Sequence, residues 1–167
     1  MINCTYFVEG CCEKKLLDAL KSSPALIRPG KIKVFNVIQD ELKTSHLLSI
    51  KDGYVVFVFD TDTYKTSCLL SNIEKVRDIC PKKVKLLFLA QVPNFEQELI
   101  RSTDIKTVSQ LTRSKSNKDF KADFIDLKDC RVVLSKHNFD IKKIWSSKVP
   151  AIFASMVTQG ASKIIIN

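Results

Sequence analysis

The sequence predicts an α/β protein in which a mainly parallel central β-sheet is flanked by helices. Over residues 3–90, short apolar segments rich in β-branched and aromatic residues alternate with segments whose apolar residues recur at helical spacing. The segment YVVFVF at residues 54–59 is apolar throughout, as expected for a central strand that is buried on both faces. Strands that alternate with helices are joined by crossovers, and crossovers make the sheet parallel.

Turn residues and helix-stop signals bound each predicted element in the first half of the chain. Glu9-Gly10 ends the first strand, Pro29-Gly30 closes the first helical unit, and Pro81 stops a long amphipathic helix. Pro93 lies where a further helix would begin. We predict strands at 3–8, 31–38, 54–59 and 84–90, and helices at 13–20, 41–50, 66–80 and 95–101.

Beyond Thr103 the periodic pattern is weaker. No linker separates this part from the rest, so we predict one domain, residues 1–167, with a core of about residues 1–103 and a C-terminal α/β extension of about 104–167. In the extension we predict helices at 107–111, 120–127, 139–145 and, less regularly, 150–157, and strands at 131–134 and 163–166.

Composition limits the classes of function. The 167 residues include 27 Lys and Arg against 18 Asp and Glu, and the formal charge of +9 favours polyanions such as nucleic acid or acidic membrane surfaces. A solubilising lysine surface is the alternative. No apolar run approaches the ~20 residues that span a bilayer. The six cysteines follow no signal peptide, so we expect reduced thiols in a cytoplasmic protein without a membrane partner.

Carboxylates follow two of the predicted strands. Glu9 ends the first strand, and Asp60 and Asp62 end the most apolar one. Ligands of open α/β sheets bind outside the carboxyl ends of the strands, where these side chains converge. Grouped carboxylate oxygens are ligands that Mg²⁺ prefers, with water and phosphate oxygens completing its shell. The alternative is that the aspartates only cap the next helix.

Two segments carry a resemblance to a known family. TYFVEGCCEKKLLDAL (residues 5–20) and VVFVFDTDT (residues 55–63) resemble the TOPRIM pattern of primases, type IA topoisomerases, small ribonucleases and OLD-type nucleases. The chain is most similar to the small stand-alone RloB-like proteins, which are often associated with phage defence. The resemblance covers residues 3–92 and implies a Rossmann-like TOPRIM fold with phosphodiester chemistry that depends on Mg²⁺ or Mn²⁺.

The resemblance assigns roles to individual residues. Glu9 matches the family glutamate, which acts as a general acid or base or as a metal ligand. Asp60 and Asp62 match the pair that holds Mg²⁺. Gly10 matches the glycine that brings the backbone close to the phosphates, and Glu13 matches an acidic position that can join the metal ligands. A favourable charge at a helix N-terminus explains Glu13 equally well.

A third acidic position follows the fourth predicted strand. In VPNFEQELI (residues 92–100), Glu96 or Glu98 is placed to approach the metal, where members of the family often carry another acidic motif. We assign Glu96 to the metal site. A solvated helix face accounts for both glutamates equally well.

Basic residues cluster between Leu111 and Lys128. Interleaved with serine and asparagine, they form a set of donors suited to the phosphate backbone of a nucleic acid. A solvated lysine loop is the alternative. The residues assigned to nucleic-acid binding here are Arg113, Lys115, Lys118 and Lys121.

Three functions are compatible with these features. The first is a metal-dependent nuclease acting on DNA or RNA, in which Glu9, Asp60 and Asp62 are catalytic. The second is a non-catalytic nucleic-acid-binding or regulatory subunit of the same fold that works with an ATPase partner. The third is a phosphatase of the haloacid-dehalogenase type, which we rank last because that family carries its DxD on the first strand and not on the third.

Overall fold

The computed structural model describes residues 2–166 and confirms the α/β fold. Its four-stranded sheet is parallel throughout, in the order β2-β1-β3-β4. Parallel strands direct their carboxyl ends to one edge of the sheet, so the loops that carry the predicted site lie together. The strands are β1 (Cys4–Val8), β2 (Gly30–Val34), β3 (Tyr54–Asp60) and β4 (Lys85–Gln91).

Helices cover both faces of this sheet. The longest in the described part, α3, has 13 residues, and no helix within residues 2–166 is both long and apolar enough to cross a membrane. The helices are α1 (Cys11–Lys21), α2 (Thr44–Leu47), α3 (Ser67–Ile79), α4 (Phe95–Ser102), α5 (Val108–Thr112), α6 (Phe120–Asp126), α7 (Cys130–Lys136), α8 (Ala151–Ala154) and α9 (Ala161–Ile164).

Strand β3 separates two apolar cores because its side chains alternate between the faces of the sheet. Val56 and Val58 face the core formed with α1, α4, α5, α6, α7 and α9. Phe57 and Phe59 face the core formed with α2, α3 and α8. The C-terminal helices therefore pack on the sheet itself, and the apolar run at residues 54–59 is buried on both sides as the sequence predicted.

Both strands predicted in the extension are wrong. Residues 131–134 belong to α7, because Asp129 accepts a hydrogen bond from the Val132 N–H at 3.0 Å and so caps a helix that buries Cys130 and Leu134 one turn apart. Residues 163–166 overlap α9, and only Ile165 forms an isolated antiparallel bridge, with Ile27. The extension is therefore helical.

Three further predictions differ from the structure: one helix is too long, one is not a helix, and one strand is too long. The segment 41–50 contains only the short α2, because the side chain of Asn72 holds the preceding loop in place. Asn72 Oδ1 accepts from the Leu42 N–H at 2.7 Å, and its amide donates to the carbonyls of Val37 and Asp40. Residues 139–145 form turns and no regular helix. The second strand ends at Val34, four residues earlier than predicted.

Candidate functional site

The first two predicted catalytic carboxylates lie side by side at the carboxyl edge of the sheet. Glu9 follows β1 and Asp60 is the last residue of β3, and these two strands are direct neighbours. Oε2 of Glu9 accepts a hydrogen bond from the backbone N–H of Asp60 at 3.2 Å. The sheet therefore brings together two residues that are 51 positions apart in the sequence.

Thr61, between the two aspartates, fixes the loop that carries them. Its backbone N–H donates to the carbonyls of Gln91 and Pro93 at 3.0 and 2.7 Å, and its hydroxyl donates to the Gln91 carbonyl at 2.9 Å. Thr61 is buried, whereas Asp62 is exposed at the edge of the adjacent cleft. The middle residue of the DxD motif thus ties β3 to the end of β4.

Five carboxylates form an acidic group at this edge of the sheet, and helix α1 contributes one of them, Glu13. The others are Glu9, Asp60, Asp62 and Glu96. Glu13 lies in the first turn and is 6% exposed, and its carboxylate turns back toward Gly10, the N-cap of the helix. A Cβ on Gly10 would lie 3.1 Å from Oε2 of Glu13. The backbone of Gly10 is extended, with φ of −150°, so this glycine matters here for the room it leaves the glutamate. Its predicted role near phosphates stays a prediction.

Glu96 and Lys121 form an ion pair on the side of α4 and α6. Lys121 Nζ lies 3.1 Å from Glu96 Oε1, and the side chains are 63% and 25% exposed. The backbone carbonyl of Lys121 accepts from the Cys12 thiol of α1 at 3.7 Å, which keeps the start of α6 against the start of α1. A cation from the basic segment, residues 111–128, therefore contacts the acidic group.

Negative charge accumulates around Asp60. Burial and four neighbouring carboxylates raise the pKa of Asp60 to about 8. Burial, followed by the charge of Glu9, also raises the pKa of Glu13. Oδ1 of Asp60 is buried and has no hydrogen-bond partner within residues 2–166. The carboxylates that raise the pKa of Asp60 are, in decreasing order of effect, Glu9, Glu13, Asp62 and Glu96.

A cleft of about 400 Å³ opens beside the three predicted catalytic residues. It combines carboxylates with one cation, hydroxyls and carboxamides, which is a lining suited to a polar, charged ligand. Tyr64, in the loop that forms part of the rim, is 90% exposed. The lining residues besides Glu9, Asp60 and Asp62 are Asn36, Ile38, Gln39, Thr63, Lys65, Ser67 and Cys68.

The residues fit a hard cation by their chemistry. The donors are oxygens, Lys121 is ion-paired with Glu96, and one buried carboxylate oxygen lacks a partner among residues 2–166. In residues 2–166, no three His, Cys, Asp or Glu side chains are grouped closely enough to hold an ion as they stand. The assignment of Glu9, Asp60, Asp62, Glu13 and Glu96 as metal ligands stays a prediction.

Glu98, the alternative to Glu96 in the sequence, has a structural role. It is 0% exposed, and its oxygens accept from the N–H groups of Val92 at 2.8 Å and Trp145 at 2.7 Å. Arg101 Nη1 lies 2.7 Å from Oε1 of the same carboxylate. Glu98 therefore joins the loop after β4 to the C-terminal part of the chain.

The remaining basic residues lie on the surface between α5 and α6. Arg113 is the C-cap of α5 in the left-handed conformation, with φ of 59°, and Lys115 and Lys118 are exposed. Arg113 and Lys115 line a shallow depression together with Asp119 and Asp123. Only Lys121 among the four predicted nucleic-acid-binding cations is paired with the acidic group.

Sequence reasoning missed two residues of this region, Thr61 and Gln91. Gln91 is fully buried at the end of β4, next to Asp60 in the sheet register, and neither atom of its carboxamide has a partner. A polar residue directly after the apolar segment LLFLA is the sequence signal that marks it, because that position also ends a strand.

The chain was compared with protein-family models, with curated proteins and with solved structures, and none of the three comparisons found a match.

Proposed function

We propose that the protein is a nuclease that depends on Mg²⁺ or Mn²⁺ and hydrolyses phosphodiester bonds of DNA or RNA at the carboxyl edge of its sheet. The observation that carries the proposal is the environment of Asp60. Four carboxylates surround it, burial disfavours its charge, and its Oδ1 has no partner. A divalent cation is the ligand that would neutralise this arrangement, because carboxylates this close repel one another without one.

In the proposed mechanism, some residues of the acidic group bind the metal ion and one transfers a proton. A bound divalent ion would polarise the scissile phosphate and lower the pKa of a bound water. Asp60 and Asp62, which both line the cleft, would hold that ion. Glu9, which also lines the cleft and is fixed against Asp60, takes or gives the proton. Glu13 and Glu96 complete the negative charge from the side of α1 and α4.

Features outside the acidic group favour a polyanionic substrate. The chain carries a formal charge of +9, and cations lie on two sides of the carboxylates, Lys65 in the cleft wall and Lys121 opposite Glu96. Arg113, Lys115 and Lys118 are further exposed cations, between α5 and α6. The TOPRIM resemblance of residues 3–92 supports the same chemistry and extends the proposal to phage defence, with an ATPase as a possible partner protein.

A cleavage assay tests this function. Purified protein is incubated with labelled single- and double-stranded DNA and RNA in the presence of Mg²⁺, Mn²⁺ or EDTA. We expect cleavage of at least one substrate with metal and none with EDTA. Asp60→Asn should abolish it, and Asp78→Asn, at an exposed position in α3, should not. Binding of nucleic acid without cleavage under every condition would contradict the enzymatic proposal.

A further inference from the structure

Gln91 is a fully buried carboxamide without hydrogen-bond partners. Its side chain is 0% exposed, and both Oε1 and Nε2 are unpaired among the described residues. Asn72 is also 0% exposed, but its side-chain carboxamide makes three hydrogen bonds of 2.7 to 3.0 Å. Burying an amide without partners lowers the stability of a protein, so such a group calls for a ligand or a function.

The position of Gln91 directs it to the acidic group. Gln91 and Asp60 are paired in the parallel register of β4 and β3. Paired residues on neighbouring strands point to the same face of the sheet, with strand axes roughly 5 Å apart. Thr61 holds the backbone carbonyl of Gln91 at this edge. Two neighbouring side chains on one face thus have buried oxygens without partners, Oδ1 of Asp60 and Oε1 of Gln91.

One shared ligand would satisfy both oxygens. A fifth neighbouring carboxylate would add to the repulsion that already acts on Asp60. A carboxamide oxygen is a hard donor that carries no net charge, and such oxygens belong to the usual ligands of divalent cations. The amide group also has two N–H donors, which a carboxylate lacks.

We propose that Gln91 belongs to the cation site, where its Oε1 binds, directly or through one water, the same divalent ion that Asp60 binds. This inference rests on the proposed function, because it requires a cation at Asp60. It adds a neutral ligand to a set of residues that sequence patterns describe as entirely acidic.

Substitution by methionine tests the proposal without an activity assay. Gln91→Met keeps the length of the side chain and removes both polar atoms. We expect its melting temperature in EDTA to equal or exceed that of the wild type, because an unpaired buried amide is lost. Its affinity for Mg²⁺ and Mn²⁺, measured by calorimetry with the metal alone, should fall roughly 10- to 100-fold.

Asn72→Leu is the matched control. It also removes a fully buried carboxamide, but one whose three hydrogen bonds are satisfied. We expect it to lower the melting temperature in EDTA, because these three hydrogen bonds are lost. A Gln91→Met protein that loses stability as Asn72→Leu does and binds metal like the wild type would show that Gln91 is structural, and would overturn the proposal.

A second variant covers the case in which Gln91→Met does not fold. Gln91→Glu keeps an oxygen ligand and adds a charge, so we expect lower stability in EDTA and tighter metal binding than in the wild type. Unchanged metal affinity would overturn the inference. If wild-type protein shows no metal binding at all, the proposed metal-dependent function fails together with it, whereas wild-type binding that is insensitive to residue 91 rejects the role of Gln91 alone.

Discussion

The backbone N–H of Asp60 donates a hydrogen bond to Oε2 of Glu9 at 3.2 Å. One carboxylate oxygen of Glu9 thus positions the start of the DxD loop. Under the proposed mechanism, substitutions at Glu9 would therefore disturb both the geometry of this loop and proton transfer. Asp60, whose Oδ1 is unpaired, gives the cleaner test of the site.

Asp60→Asn should separate metal binding from folding. The amide has nearly the same shape and carries no charge, so repulsion from the neighbouring carboxylates is relieved. We expect the free energy of unfolding in EDTA at pH 8 to rise by about 1 to 3 kcal/mol. Thermal melts with and without Mg²⁺ measure this, and the ion should stabilise the wild type only. Equal stabilisation of both proteins would place the metal elsewhere.

The pH dependence of stability provides an independent check. The pKa of Asp60 is about 8 in the folded chain against an ordinary value of 3.8, so between these values the folded protein holds a proton that the unfolded chain has released. Its contribution to stability therefore falls as pH rises through this range and levels off above pH 8. We expect the gain from Asp60→Asn in EDTA to increase from pH 5 to pH 8. A gain that is constant over this range would contradict the raised pKa.

The parallel sheet was predictable because its central strand is a continuous apolar segment, and because the strands alternate with helical segments bounded by Gly, Pro and Asp. Residues 54–59 are the least ambiguous segment, because a continuous run of six apolar, β-prone residues next to a turn is typical of a strand buried on both faces. The C-terminal helices were less predictable because short segments depend on tertiary contacts. Residues 131–134, with two adjacent valines, favour a strand locally, but the cap at Asp129 and the burial of Leu134 stabilise a helix.

The acidic group was predictable in outline because strand ends converge in a parallel sheet. Glu9 and Asp60 follow from the strand positions alone. The sequence did not distinguish Glu96 from Glu98 as the residue near the site. That distinction depends on the direction in which each side chain leaves α4, and the structure shows that Glu98 faces the interior. Gln91 was missed because a neutral amide in a strand has no charge pattern that sets it apart.

Glu98→Gln should destabilise the protein and leave the metal site unchanged. The carboxylate pairs with Arg101 and accepts two backbone hydrogen bonds in a fully buried position. Loss of its charge weakens all three contacts, and we expect a loss of about 2 to 3 kcal/mol in the free energy of unfolding. Denaturant titration measures the loss, and calorimetry should show wild-type Mg²⁺ affinity. Weakened metal binding with unchanged stability would instead assign Glu98 to the site.

Tyr64→Ala should weaken binding of single strands. The ring is 90% exposed two residues after Asp62, where an unpaired base beside the cleft can stack on it. Stacking contributes about 1 to 3 kcal/mol per base, so we expect a loss of roughly tenfold in affinity for a single strand and a smaller loss for a duplex. Fluorescence anisotropy in EDTA measures both. Tyr64→Phe should bind single strands with wild-type affinity, and so should Leu48→Ala, which alters another exposed side chain. Equal losses of affinity for the single strand and the duplex in Tyr64→Ala would refute stacking.

The basic segment should divide into residues that hold the substrate and one that also acts at the site. Arg113, Lys115 and Lys118 are exposed, whereas Lys121 pairs with Glu96 at 3.1 Å. Replacing the first three by Ala should lower affinity for all sequences, because contacts to phosphates do not read bases. It should also flatten the log-log salt dependence by about 0.9 per lost duplex phosphate contact, or about 0.7 for a single strand. The turnover at saturating substrate should change little.

Lys121→Met should give the opposite result. Its loss removes the counter-charge of Glu96 and adds net negative charge around Asp60, which should lower turnover at saturating substrate more than it lowers affinity. Anisotropy in EDTA between about 50 and 200 mM salt gives the slopes, and single-turnover cleavage gives the rates. If the triple variant keeps its affinity and salt slope, those three residues are ordinary solvated surface, and the substrate enters from the side of Lys65 and the cleft.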